Sequence, residues 1–168
     1  MELIRKFSDL DFNCLMEVYS ESNRDNTRLV YPHLAPEEAL IQVHEDFYSY
    51  LRDDFFRVRG SVYCLHRANG MVVSAARMEP YRDGWLLNGL ETHPHHRCRG
   101  YAEALIRAIQ SQWAGKGPIY SHVLKRNSPS RRLHLRCGFV AKSEHAIYLD
   151  GTVTTRAQTF VWESRDHQ

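Results

Sequence analysis

The spacing of apolar positions changes several times along the chain, and each change marks an element. Residues 2–7 (Glu-Leu-Ile-Arg-Lys-Phe) read as a short strand. Phe12, Leu15, Met16 and Tyr19 then recur at helical spacing behind a capping Ser8 or Asp9. Residues 20–31 are polar and irregular and read as a loop. Pro36 and two glutamates open a second helix, since proline lacks the N–H that a first turn cannot use. Its apolar positions are Leu40, Val43, Phe47, Leu51 and Phe55. From residue 61 the spacing is that of strands. Residues 61–67, 71–79 and 85–92 form a meander turned at Asn69-Gly70 and Asp83-Gly84, both tight-hairpin pairs. Ala102, Leu105, Ile106, Ile109 and Trp113 restore the helical period, until Gly115 and Gly117-Pro118 end it. Residues 119–124 are a strand again. Strand, helix and strand in that order imply a right-handed crossover to a parallel neighbour. Ser128-Pro129 starts a short helix stopped by Gly138, and residues 139–149 and 152–163 are closing strands joined at Asp150-Gly151.

The expected fold is therefore α+β. A mixed, mostly antiparallel sheet of about seven strands holds one parallel pair and is flanked by about four helices. The 168 residues suffice for one domain, residues 1–168, with a full core. A net charge of +2, without a spread basic face, argues against a nucleic-acid binder. No apolar run reaches bilayer length and no signal-peptide pattern opens the chain, so no membrane partner is expected. Cys14, Cys64, Cys98 and Cys137 are irregularly spaced and suggest neither a disulfide framework nor a zinc knuckle. A reducing cytoplasm is the expected location.

The junction from Glu91 to Ala102 changes this picture. A strand enters it, a helix leaves it, and a short basic loop with Gly100 lies between. Such a junction aims successive amides and the positive end of a helix dipole at one spot, which suits phosphates. The loop is neither a Walker loop nor a dinucleotide fingerprint, because the required lysine or the three glycines are missing. Ligands gather outside the carboxyl ends of parallel strands, here Glu91-Thr92 and Leu124-Lys125, with Asn127 just beyond.

Two segments together carry a resemblance. Arg97 to Ala102 reads Arg-x-x-Gly-x-Ala after a strand, and Asn127, Ser130, Gly138 and Phe139 follow at fixed spacing. This resembles the GNAT acetyltransferase superfamily, specifically over about residues 85–139 and in element order over the whole chain. The resemblance implies acetyl-coenzyme A as donor. Its pyrophosphate would rest on the amides of Arg97, Cys98, Arg99, Gly100, Tyr101 and Ala102. Its pantetheine arm would lie in the gap of the splayed parallel pair, bonded to the backbone of Leu90 and Thr92, with Asn127 and Ser130 on the other side. The acceptor would be a primary amine of a small molecule or peptide that attacks the thioester directly. A homodimer is left open.

The family's usual tyrosine acid stands seven residues after the asparagine, and here that position is His134. A histidine can donate a proton near neutral pH, or it can simply pack. The base in some relatives stands five before the asparagine, which is His122. Its reach to Glu91 on the neighbouring strand is expected, and Glu91 is itself a second candidate base. The two could instead form a pair that merely stabilises the sheet. His93, His95 and His96 lack the spacing and partners of a metal site, so no metal is expected, and Cys98 is a contact residue. Acids of the second helix (Glu45, Asp46, Asp53, Asp54) read as a solvated face. With Phe47, Tyr48 and Tyr50, Asp53 and Asp54 also hint at a cationic acceptor. The alternative function is a non-catalytic acyl-coenzyme A sensor, motivated by the missing tyrosine.

Overall fold

A computed structural model describes residues 1–164. The strands are β1 (Glu2–Ile4), β2 (Val62–Ala68), β3 (Met71–Tyr81), β4 (Gly84–Thr92), β5 (Ile119–Leu124), β6 (Val140–Ser143), β7 (Ala146–Ile147), β8 (Val153–Thr154) and β9 (Ala157–Trp162). The α-helices are α1 (Phe12–Val18), α2 (Ser20–Val30), α3 (Pro36–Asp53), α4 (Tyr101–Trp113) and α5 (Ser128–Arg136). Seven strands form one sheet in the order β1-β2-β3-β4-β5-β9-β6, while β7 and β8 pair apart from it. Every pairing is antiparallel except β4 with β5, which α4 connects. No helix of the described residues is long and apolar enough to cross a membrane.

The sheet is covered on both faces. On one, Leu105, Ile106, Ile109 and Trp113 of α4 pack on Met78, Leu87 and other inward residues of the strands. On the other, Leu15 and Val18 of α1 and Leu51 of α3 pack around Phe55, Tyr63 and Leu65. Each such buried aliphatic side chain contributes about 1.5–3 kcal/mol relative to its exposed state.

Three expectations need correction. Residues 20–31 are not a loop but α2, whose inward stripe is Asn23 and Thr27. Those two positions lie one turn apart and are buried, but they are polar, so apolar periodicity passes over them. The first helix is capped by Asp11, which accepts from the Cys14 amide at 3.1 Å, rather than by Ser8 or Asp9. The two closing strands are broken. Ser143 Oγ accepts the His145 amide at 3.2 Å, and Thr154 Oγ1 accepts that of Arg156 at 3.2 Å. These local side-chain bonds compete with the strand ladder and turn the chain out of the sheet at both points.

Candidate functional site

The parallel pair is paired only at its beginning. Trp85, Leu86 and Leu87 oppose Ile119, Tyr120 and Ser121, and beyond them the two strands part. The rest of β4 keeps β3 on one side, and β5 keeps β9 over its whole length. Between the diverging ends, backbone groups on facing lips have no strand partner, which leaves them free for an extended ligand.

At the end of the β4 lip stands the basic loop. His93 caps a single 3-10 turn (Pro94–His96), its Nδ1 accepting from the His95 amide at 3.2 Å. Cys98 and Gly100 then both take the left-handed conformation, at φ 59° and 78°. Alternating backbone of this kind curls successive amides inward as an anion nest. Among the described residues, no backbone acceptor takes the amide hydrogens of Arg97 to Glu103. Four of these belong to the loop and three to the first turn of α4, which has no intrahelical partner for them.

Across the gap, Asn127 caps α5, its Oδ1 accepting from the Ser130 amide at 3.1 Å. That bond fixes the side chain and leaves its NH₂ group available. A cleft of about 570 Å³ lies between this helix and the loop. It brings together Leu90, Thr92, Arg97, Cys98, Gly100, Tyr101, Ala102, Asn127 and Ser130, nine of the ten residues expected to hold a donor. Arg99 does not line it; its guanidinium lies 3.5 Å from Nδ1 of His96, which does.

A second cavity, about 450 Å³, opens on the other side of the β4 lip. Its walls are α2, α3 and the sheet beneath them, with Tyr19, Asn23, Phe47, Tyr50 and Arg77 among the lining residues. Glu91 lines both spaces. Burial pushes its carboxyl above the ordinary value, with Glu21 and Asp25 adding to the rise, while Ser22 and Arg97 oppose it. The Arg97 guanidinium is itself paired with Glu21 of α2, tying that helix to the loop. Tyr19 Oη donates to the carbonyl of Gly89 and receives the Tyr63 hydroxyl at 2.8 Å.

Neither His122 nor His134 lines the donor cleft. His122 and Glu91 are not a pair, because the strands diverge before reaching them. His122 Nε2 lies 2.9 Å from the Ile147 carbonyl, and Nδ1 lies 3.2 Å from Thr159 Oγ1. Tyr81 and Tyr148 pack edge-on against its ring. Burial lowers its pKa, partly offset by the bond to Ile147. His134 is 1% exposed and lies within the core rather than in the gap. Its Nδ1 is 2.8 Å from the Ser130 carbonyl and its Nε2 2.9 Å from Ser121 Oγ. Both nitrogens are engaged, and burial holds the ring below its ordinary pKa.

Of the second helix, Phe47 and Tyr50 face the second cavity, but Tyr48 packs edge-on against Phe7 and Phe12. Asp53 pairs with Arg52 and Arg57 at the surface, and Asp54 merely ends the helix. Sequence reasoning missed Arg77. Its signal was a charge at an inward-facing position, following the small or apolar run Val-Val-Ser-Ala-Ala.

The model of the acetyltransferase (GNAT) family matches residues 16–139. No curated protein matches the sequence. Among solved structures, PaiA N-acetyltransferase from Thermoplasma acidophilum, in complex with coenzyme A, is 15% identical. The match has a TM-score of 0.62 and covers 96% of this chain and 98% of that one. Campylobacter jejuni N-acetyltransferase PseH, in complex with acetyl coenzyme A, is 12% identical at a TM-score of 0.58, covering 98% and 99%. A longer Thermoplasma acidophilum acetyltransferase chain is 28% identical over 63% of this chain but only 39% of its own length, at a TM-score of 0.49.

Proposed function

The chain belongs to the acetyltransferase (GNAT) family, and from that premise we propose that it moves the acetyl group of acetyl-coenzyme A onto a primary amine. The observation that carries this reading is the position of Glu91 in the wall shared by the donor cleft and the second cavity. The unaccepted amides from Arg97 to Glu103 fit a pyrophosphate. The free lips of β4 and β5 fit the amide groups of a pantetheine arm, with the Asn127 NH₂ group on the far side. Two N-acetyltransferases of this fold hold coenzyme A or acetyl coenzyme A, which supports the same donor here.

Bound acetyl-coenzyme A supplies a thioester carbonyl open to attack. The amine enters from the second cavity, and Glu91 takes its proton, directly or through one water. Burial raises the Glu91 carboxyl above its ordinary value, which makes it a stronger base than an exposed carboxylate. The new bond is C–N and the broken one is C–S. The departing group is a thiolate, which is stable enough near neutral pH to leave without a dedicated acid, since thiols ionise at about 8.5. His134 is therefore not needed as a donor, and its core position is compatible with turnover.

Calorimetry with acetyl-coenzyme A, followed by thiol release over a panel of amines, tests this. Binding should be lost or weakened at least about tenfold in Gly100→Pro, because proline is held near φ −65° and removes an amide from the nest. Equal binding by that variant would place the donor elsewhere. Tight donor binding with no thiol release on any amine would favour the acyl-coenzyme A sensor.

A further inference from the structure

The second cavity contains a cation whose buried Nε is engaged by no acceptor among the described residues. Arg77 projects from β3 with its guanidinium 5.8 Å from the ring centre of Phe47 and 5.2 Å from that of Tyr50. Its Nε is fully buried and has no hydrogen-bond partner. Among the described residues, no carboxylate comes within ion-pair distance of it. The carboxylate two positions along the same strand, Glu79, is used otherwise. It accepts from Tyr50 Oη at 3.3 Å and from Asn88 Nδ2 at 3.4 Å. Arg77 keeps its charge at all physiological pH and carries five donors in a planar fork. Such a group is costly to bury without an acceptor, and its natural complement is a carboxylate bound through two parallel hydrogen bonds.

Register places this cation beside the base. Ala75 opposes Glu91 and Arg77 opposes Asn88, so Arg77 and Glu91 are diagonal neighbours on one sheet face, with backbones about 7–8 Å apart. Tyr19 lines the same cavity and feels both charges. An amine held at Glu91 would therefore lie a few bonds from a group held at Arg77. The lining also holds Phe47, Tyr50, Val43 and Val30, which suit an apolar side chain, beside the polar Ser22, Asn23, Asn26 and Asp46.

We propose that the acceptor is an amino acid, a primary amine whose carboxylate docks on Arg77 while its nitrogen is presented at Glu91; this rests on the acetyl-transfer reading above. A monoanion is specified rather than a phosphate. One guanidinium stands alone, and Asp46 on the rim, with Glu21 and Asp25 near Glu91, would repel a dianion. A purely cationic acceptor is disfavoured by Arg77 itself.

The test compares each standard amino acid with its own amide as acceptor, measuring thiol release from acetyl-coenzyme A. The amide keeps the α-amine and loses only the charge. Wild-type protein should favour the acid over the amide by about 10- to 100-fold in kcat/KM for the amino acids that react. In Arg77→Gln that ratio should fall towards one, and in Arg77→Lys it should fall part of the way. The wild-type comparison stands alone if either variant fails to fold. Equal rates for acid and amide in the wild type overturn the inference while leaving acetyl transfer intact, as does a preference for O-phosphoethanolamine over β-alanine. Donor binding without thiol release on any acceptor overturns the transfer reading itself.

Discussion

Replacing His134 by phenylalanine separates a structural imidazole from a catalytic one. The Ser130 carbonyl can only accept, so the Nδ1 of His134 carries the hydrogen and Nε2 receives the Ser121 hydroxyl. The ring is edge-on to Phe139 and tilted against Phe160, so phenylalanine fills the same space. What it removes is the acceptor for Ser121 and one donor to Ser130. The cost should be about 2 kcal/mol, mostly from the stranded Ser121 hydroxyl. A second signature comes from proton linkage. The unfolded histidine titrates near 6.5, whereas burial lowers the folded value. Above about pH 6.5 both states are neutral and His134 adds no pH dependence. As pH falls below that, the unfolded chain takes up a proton that the native one does not, so stability falls, with a slope approaching about 1.4 kcal/mol per pH unit for this group. Denaturant unfolding between about pH 5 and 8 should show this slope reduced in His134→Phe, while kcat/KM of the folded variant stays within about threefold. An unchanged slope, or a hundredfold loss of turnover in a fully folded variant, would refute the assignment and return His134 to the proton path.

Glu91→Gln should lower kcat/KM by about 10² to 10⁴ with donor affinity little changed. Wild-type rates should fall as pH drops through the raised Glu91 pKa, and that limb should vanish in the variant; its persistence would assign the base elsewhere. Gly89→Ala should lose about 1–2 kcal/mol from backbone strain at φ 59°. Its added Cβ, 3.1 Å from Arg77 Nε and Nη2, should also raise the KM for amino acids. A thermal shift without a KM change would detach Arg77 from acceptor binding. His122→Ala should cost about 1 kcal/mol through the lost bond to Ile147, with kcat/KM within a few-fold by thiol-release assay. A loss of a hundredfold would restore His122 as base.

The elements that bury apolar stripes were readable in the sequence. The meander, α4 and β5 lie where alternation and helical spacing put them, since their inward residues are Val62, Met78, Leu105 and Ile119. The donor cleft was readable for a related reason: Gly100 and Asn127 act through backbone geometry and capping, which are local. The acceptor side was not. Its wall is α2, which faces inward through Asn23 and Thr27, and its cation is Arg77, which only tertiary packing places over Phe47 and Tyr50. The expected meeting of His122 and Glu91 failed because residue spacing does not show where two paired strands part.

One inserted residue links these features. Along β3, Ala75 and Arg77 share a face, and they oppose Glu91 and Asn88, so three steps of β4 answer two of β3. This is a bulge, and Gly89 with its positive φ supplies it. Strict alternation would put Leu87, Gly89 and Glu91 on one face, burying the carboxylate against α4. With the extra residue, Leu87 and Leu90 both pack on the α4 side and Glu91 turns to the face carrying Arg77. The same distortion bends β4 away from β5 just after Leu87, where the gap opens. It also turns out the Gly89 carbonyl, which Tyr19 holds from the junction of α1 and α2. The position of the base, the open lip for the donor and the contact between Arg77 and the strand thus depend on a single glycine, and a change there should move all three together.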